Sequence, residues 1–154
     1  MIRYIVKAGL VGALYIALTL VFAPISYGPI QIRVSEMLTI LPVIDIAAIP
    51  GLFIGCMLAN LIGGYGPWDI FLGSFITLIA ALFSYLIGRK ISPYLSPISP
   101  IILNALGVGA YLSFLTNTPY LFIVISIFIG ETISAGGLGI LLYWLMVKRL
   151  KIKV

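Results

Sequence analysis

The stretch VSEMLTILPVIDIAAIPGLFIGCMLANLIGG, Val34 to Gly64, decides how this chain is folded. It is apolar almost throughout, yet it is too long for one transmembrane helix, which needs about 20 residues. Pro42 and Pro50 also lie within it, and proline breaks or kinks a helix interior. Clear membrane spans flank it at 4–23, 68–88, 98–116 and 120–147. Read as one span, the stretch brings the total to five. Read as a shorter helix to about Ile46 and a second from about Pro50, it brings the total to six. Positive charge chooses, because Lys and Arg favour the cytoplasmic side. With six spans and a cytoplasmic N-terminus, Arg3/Lys7, Arg89/Lys90 and the Lys148–Lys153 group all fall inside, and Arg33 alone of the 9 basic residues falls outside. Five spans put the N-terminal pair opposite the other two groups. The expected architecture is therefore all-α: an integral membrane bundle of six transmembrane helices, both termini cytoplasmic, forming a single domain over 1–154.

Composition supports this. Of 154 residues 62% are hydrophobic and 8% charged, with a mean hydropathy of +1.25, whereas a soluble domain carries about a quarter charged residues. The net charge of +5 sits at span ends, where it suits the anionic inner leaflet rather than nucleic acid. There is no histidine and Cys56 is the single cysteine, so disulfides and Cys/His metal sites are excluded; neither metal nor cofactor is expected. The first segment resembles a signal peptide in its basic flank and in Val21-Phe22-Ala23, but its apolar run is long for a signal core and it is read as a helix.

Helices in lipid associate through small residues. Gly9, Ala13 and Ala17 recur at four-residue intervals in the first helix, Gly51, Gly55, Ala59 and Gly63 in the third, and Gly73, Thr77 and Ala81 in the fourth. Internal packing explains the last two stripes. The first serves equally as internal packing or as a contact for an external partner.

Polar residues inside such segments are costly, and they are normally turned inward and used. Glu131 lies eleven residues after Tyr120, roughly 16 Å along a helix, near the midplane; its purely structural alternative is a carboxyl hydrogen-bonded within the bundle. Glu36 serves either as a ligand group or as a first-turn acid behind a Ser35 cap, and Asp69 either as a ligand group or as the first-turn acid after Pro67. Arg33 pairs with Glu36 or faces the ligand. Asn60 and Asn104 are interhelical hydrogen-bonders or ligand groups, and Asp45 caps the cytoplasmic turn or meets water. Gln31, between Ile30 and Ile32, reads as part of an extended loop folded over the bundle mouth. Of the outer aromatics, Tyr27 and Trp68 neighbour these polar residues and are the candidates for stacking, while most such rings belong to the interfacial belt. Together these residues describe an outward-facing pocket for a small, planar ligand rich in hydrogen-bond donors. Glu36 and Glu131 are expected at different depths, which argues against an acid–base pair. The chain also lacks a phosphate loop and a serine beside a base, so no enzyme is expected. A self-sufficient proton-coupled carrier using Glu131 is the alternative transporter reading.

The segments ISYGPIQIRVSEMLTILPVI, AAIPGLFIGCMLANLIGG, WDIFLGSFITLIAAL, PIILNALGVG and IGETI resemble, in this order, the QueT family. Its members are the substrate-binding S components of energy-coupling factor (ECF) transporters assigned to queuosine precursors. The resemblance runs from about Gly9 to Gly137; the charged turn at Asp45 and the loops after Arg89 and Tyr111 depart from it. It implies a six-helix protein without its own ATPase that captures its ligand at the outer face. Such a protein joins a transmembrane coupling protein and two cytoplasmic ATPases, and it topples in the bilayer to release the ligand inside. It also implies that Ala13 and Ala17, with Gly9 one turn earlier, face the coupling protein. The implied ligand is a 7-deazaguanine such as preQ1, with preQ0, queuine or a different vitamin as alternatives. Glu131 and Glu36 would divide the carboxylate roles with Asp69 as substitute. Asn60, Asn104, Gln31 and Arg33 would meet the remaining edges, and Tyr27 or Trp68 would stack on the ring.

Overall fold

The decisive stretch is broken in two, between Val43 and Ala48. A computed structural model of the chain describes residues 1–26, 31–64 and 66–151, and among these it is helical almost throughout, with no strand. We label the longer helices α1 (Ile2–Val21), α2 (Val34–Val43), α3 (Ala48–Gly63), α4 (Gly66–Lys90), α5 (Ile98–Thr116) and α6 (Tyr120–Arg149). Ile2–Val21, Gly66–Lys90, Pro93–Thr116 and Tyr120–Arg149 are long and apolar enough to cross a membrane; α2 and α3 are shorter apolar helices.

The short α2 is the centre of the bundle. It is wound as a 3-10 helix, a form that seldom persists beyond a few residues. Its rise of about 2.0 Å per residue carries ten residues about 20 Å, where an α-helix would reach about 15 Å. Pro42 contributes no N–H to its last turn. The Thr39 hydroxyl donates to the Glu36 carbonyl at 2.6 Å, which occupies an acceptor three residues back. α2 packs against α1, α3, α4 and α6, and so buries Ser35, Glu36, Leu38, Thr39, Ile40, Pro42 and Val43. Around it α1 packs on α3, α3 on α4, α4 on α5 and α5 on α6. Tyr15, Leu38, Leu52, Cys56 and Ala81 form the main apolar cluster.

Two of the small-residue stripes are internal. At the α1–α3 crossing a side chain on Gly51 would stand 2.5 Å from the Ala8 carbonyl oxygen, and one on Gly55 would stand 2.9 Å from Gly12 Cα; the backbones approach too closely for a side chain. Ala59, Gly73, Thr77 and Ala81 are likewise buried. On α1 it is Gly12 that enters this contact, whereas Gly9, Ala13 and Ala17 are exposed. Gly9 and Ala13, but not Ala17, border an apolar groove of about 450 Å³ between α1 and α3, whose walls also include Ala8, Ile54 and Leu58.

At the turn between α2 and α3, Asp45 accepts from the Ala47 N–H at 3.0 Å and pairs with Lys7 of α1. It both caps and makes an ion pair. The Lys7 hydrogen bond holds the Asp45 carboxyl below the usual carboxylate range. By contrast, Ser35 does not cap α2: the N-cap is Arg33, extended and without a capping side chain, and Ser35 is buried against Thr19, whose hydroxyl donates to it at 2.7 Å.

Candidate functional site

Every transmembrane carboxylate of this chain stands where the helix departs from α winding. Glu36 lies in the first turn of the 3-10 helix α2. Asp69 opens a π-helical turn, Asp69–Gly73, in α4. Glu131 immediately precedes the π-helical turn Thr132–Leu138 in α6. Side-chain hydroxyls on these segments take carbonyls four residues back: Ser74 from Ile70 at 2.7 Å, Thr132 from Phe128 at 2.7 Å and Ser134 from Gly130 at 2.7 Å. Such back-bonding competes with the regular ladder and bends helices, and π-turns gather at functional sites.

Glu36 and Glu131 meet in one chamber, lined also by Gln31, Arg33, Gly73, Thr77, Asn104, Val108 and Ile127. The expectation of different depths therefore fails. The extended segment before α2 lies directly on α6, so close that a side chain on Gly130 would meet the Gln31 carbonyl oxygen at 1.9 Å. This contact brings the start of α2 to the level of Glu131. Gln31 thus lines the chamber.

Each carboxylate has one oxygen engaged and one not. The Tyr15 hydroxyl of α1 donates to Glu36 Oε1, and the Asn104 amide donates to Glu131 Oε1 at 2.8 Å. Glu36 Oε2, Glu131 Oε2 and Asn104 Oδ1 are buried with no hydrogen-bond partner among the described residues. Asn104 is therefore a chamber residue and not a partner of neighbouring backbone. Three bare buried acceptors on residues that line one cavity are expensive, and they suit a ligand that brings donors. Arg33 lines the chamber with Glu36 and Glu131 and supplies its positive charge, and its Nη1 also donates to Cys56 Sγ at 3.7 Å. The chamber's free volume is about 20 Å³, the space of a single water molecule. It is closed.

Asp69 and Asn60 form a neighbouring cluster. Tyr111 donates to Asp69 Oδ1 at 2.8 Å and Asn60 Nδ2 donates to the Asp69 carbonyl at 2.8 Å. Gly73 separates this cluster from the chamber, with its side-chain position 3.1 Å from the Tyr111 hydroxyl and 3.7 Å from Asn60 Nδ2. Asn60 is thus an interhelical hydrogen-bonder, and Asp69 stands one layer back from the chamber. Trp68 is 46% exposed and does not line the chamber, as befits an interfacial ring. Tyr27 lies outside the described residues.

Thr77 lines the chamber, while Tyr15, Tyr111 and Gly130 touch Glu36, Asp69 and Gln31 respectively, and sequence reasoning named none of the four for the site. Tyr15 had a legible signal: Gly12, Tyr15 and Thr19 share one face of α1, and all three are buried.

The sequence profile described as "QueT transporter" matches residues 5–148. The chain belongs to the QueT transporter family. The family is described as one of transporters, and four helices long and apolar enough to cross a membrane make the chain a multi-pass membrane protein. It is also 41% identical over 78 residues to a protein of Lactococcus lactis subsp. cremoris (strain MG1363) named queuosine precursor transporter QueT. The matched part is 49% of this chain and 45% of that relative, about half of each. No solved structure matches the chain. Glu36 and Glu131 both fall within the family match, as do all other described chamber residues.

Proposed function

We propose that this QueT-family protein is the membrane-embedded substrate-binding subunit of an ECF-type importer. It captures a 7-deazaguanine queuosine precursor such as preQ1 at the outer face, through the chamber between Glu36 and Glu131. The observation that carries this reading is the set of three bare buried acceptors, Glu36 Oε2, Asn104 Oδ1 and Glu131 Oε2, beside one guanidinium. Two carboxylates and Arg33 leave the chamber one negative charge in excess when both acids are ionised. An aminomethyl cation on a guanine-like ring supplies that charge, and its ring N–H and exocyclic amine supply donors for a bidentate contact. Arg33 and Gln31 then face the ring carbonyl. One carboxylate holds the ammonium and the other the donor edge of the ring.

The topology that serves this function has six spans with both termini cytoplasmic. It is supported by the basic clusters at Arg3/Lys7, Arg89/Lys90 and Lys148–Lys153 and by the break that splits α2 from α3. The apolar groove bordered by Gly9 and Ala13, with Ala17 exposed on the same helix, is the docking face for a transmembrane coupling protein that works with two cytoplasmic ATPases. Its support is the outward placement of these small residues while Gly12 serves the internal crossing.

The test is binding of preQ1 to the purified protein in detergent. Glu131→Gln keeps the shape and the Asn104 contact but removes the charge. A charge-assisted hydrogen bond is worth about 1.5–3 kcal/mol, so affinity should fall about 10- to 150-fold with the melting temperature nearly unchanged. Unaltered affinity removes Glu131 from the site.

A further inference from the structure

Glu36 and Glu131 give the closed chamber two acids, and Arg33 is its single cation among the described residues. Both acids are almost wholly buried, at 1% and 5% exposure. The free volume of about 20 Å³ is that of one water molecule, so no solvent shell surrounds them. Two ionised carboxylates beside one guanidinium would leave a net negative charge here, and burial penalises an uncompensated charge severely. Carboxylates that share a site commonly avoid this by sharing a proton.

The hydrogen bonds point the same way. The Tyr15 hydroxyl and the Asn104 amide donate to Glu36 Oε1 and Glu131 Oε1, which leaves Glu36 Oε2, Glu131 Oε2 and Asn104 Oδ1 without partners among the described residues. All three are acceptors when both acids are ionised. One carboxyl proton turns a carboxylate oxygen into a donor among the other two acceptors. The groups packed around the acids leave this need unmet. From α1 the facing group is Tyr15, already committed to Glu36. From α3 it is Cys56, whose Sγ accepts from Arg33, Asn60 and Thr77. From α4 it is Asp69, held one layer back by Tyr111 of α5. Lys7 is engaged by Asp45 beyond the far end of α2.

We propose that the empty chamber holds one proton between Glu36 and Glu131, and that a monocationic ligand enters in exchange for it. The inference rests on the reading of the chamber as the ligand site and deepens it. With the proton in place, one ionised acid faces one guanidinium and the chamber is neutral. With the ligand's ammonium in place, two ionised acids face two cations and the chamber is neutral again. The O–H bond of the carboxyl is the only bond that breaks, and its proton passes to solvent while the chamber is open. The substrate class follows: a ligand with one positive charge, which stands where the proton stood.

Calorimetry in detergent counts the proton. The aminomethyl deazaguanine is titrated into the purified protein in buffers of different ionisation enthalpy at about pH 6.5, where an alkylammonium, which titrates near about 10.4 in lysine, stays charged. The wild type should release about one proton per ligand bound, and its affinity should rise about tenfold per pH unit between about pH 5.5 and 7. Glu36→Gln and Glu131→Gln each leave one acid balanced by Arg33. Each should bind more weakly, with proton release near zero and affinity flat over the same pH range. The wild-type count stands even where a variant fails to fold. Wild-type binding without proton release overturns the exchange and leaves the chamber as the ligand site. A full proton still released by both variants also overturns it, because that proton comes from elsewhere. If the wild type does not bind the ligand at all, the chamber reading falls and the exchange with it.

Discussion

Gly130→Ala is the sharpest perturbation of this site, because it acts on backbone alone. The added carbon would stand 1.9 Å from the Gln31 carbonyl oxygen, 2.7 Å from its carbon and 3.2 Å from the Ile32 nitrogen. Non-bonded heavy atoms settle near about 3.5 Å, so the Gln31 carbonyl must retreat by about 1.6 Å. No rotamer change absorbs this, since every atom involved is main chain. The retreat strains the Ile32 N–H to Ile25 carbonyl bond of 3.0 Å, worth about 1 kcal/mol. It also draws Gln31 out of the chamber wall. Against this, alanine improves an α-helix by about 1 kcal/mol over glycine. An overlap with backbone is not cheaply relieved, and overpacking costs about 1–3 kcal/mol, so the variant is destabilised on balance. The expected result is a melting temperature several degrees below wild type with ligand affinity reduced about tenfold, the equivalent of 1.4 kcal/mol, through faster dissociation. Stopped-flow release and a thermal melt in the same detergent measure both. Dissociation unchanged within twofold would refute the reasoning, since the segment would then not seal the site.

Tyr15→Phe removes the donor to Glu36 Oε1 and leaves that oxygen bare like its neighbour; affinity should fall about tenfold and stability by about 1–3 kcal/mol, read by calorimetry and thermal melting. Ala13→Trp places a large ring on the exposed stripe of α1; ligand binding should persist while co-purification with the coupling protein is lost, and persistence of that complex would make the stripe a lipid-facing surface. The Lys7–Asp45 pair is testable by pH. Because the folded Asp45 carboxyl titrates below its unfolded value, its contribution is present above the unfolded value of about 4 and is lost as pH falls through the lower folded value. The pair is surface-exposed, so the loss should not exceed about 1 kcal/mol, and Lys7→Met should abolish that part of the acid sensitivity in melts taken between about pH 2.5 and 6.

Much of this was legible from residue chemistry. Charge placement and the two prolines called for a break, placed between about Ile46 and Pro50, because lipid penalises misplaced charge and proline cannot donate; the structure has it between Val43 and Ala48. Glu36, Asn104 and Glu131 stood out because polarity inside hydrocarbon is rare. What stayed hidden depended on helix winding. The 3-10 form of α2 and the π-turns beside Asp69 and Glu131 arise from hydroxyl back-bonding and tertiary packing, which hydrophobic periodicity does not report. Ser35 looked like a cap, but burial against Thr19 uses its hydroxyl elsewhere. Tyr15 was overlooked because one tyrosine in an apolar helix resembles an interfacial ring, and only its alignment with Gly12 and Thr19 marks it as inward.

The winding of α2 fixes more than its length. Its far end is locked: a side chain on Gly88 would meet Val43 Cγ2 at 2.3 Å, so Val43 sits against bare backbone and cannot turn. Between Glu36 and Val43 a 3-10 helix advances about 120° per residue and an α-helix about 100°. Rewinding those seven steps into α form would swing Glu36 by about 140° about the axis and retract it by about 3.5 Å. With one end clamped, the segment behaves as a torsion rod whose pitch aims the carboxylate, and whatever unwinds or tightens it switches that acid in or out of the pocket.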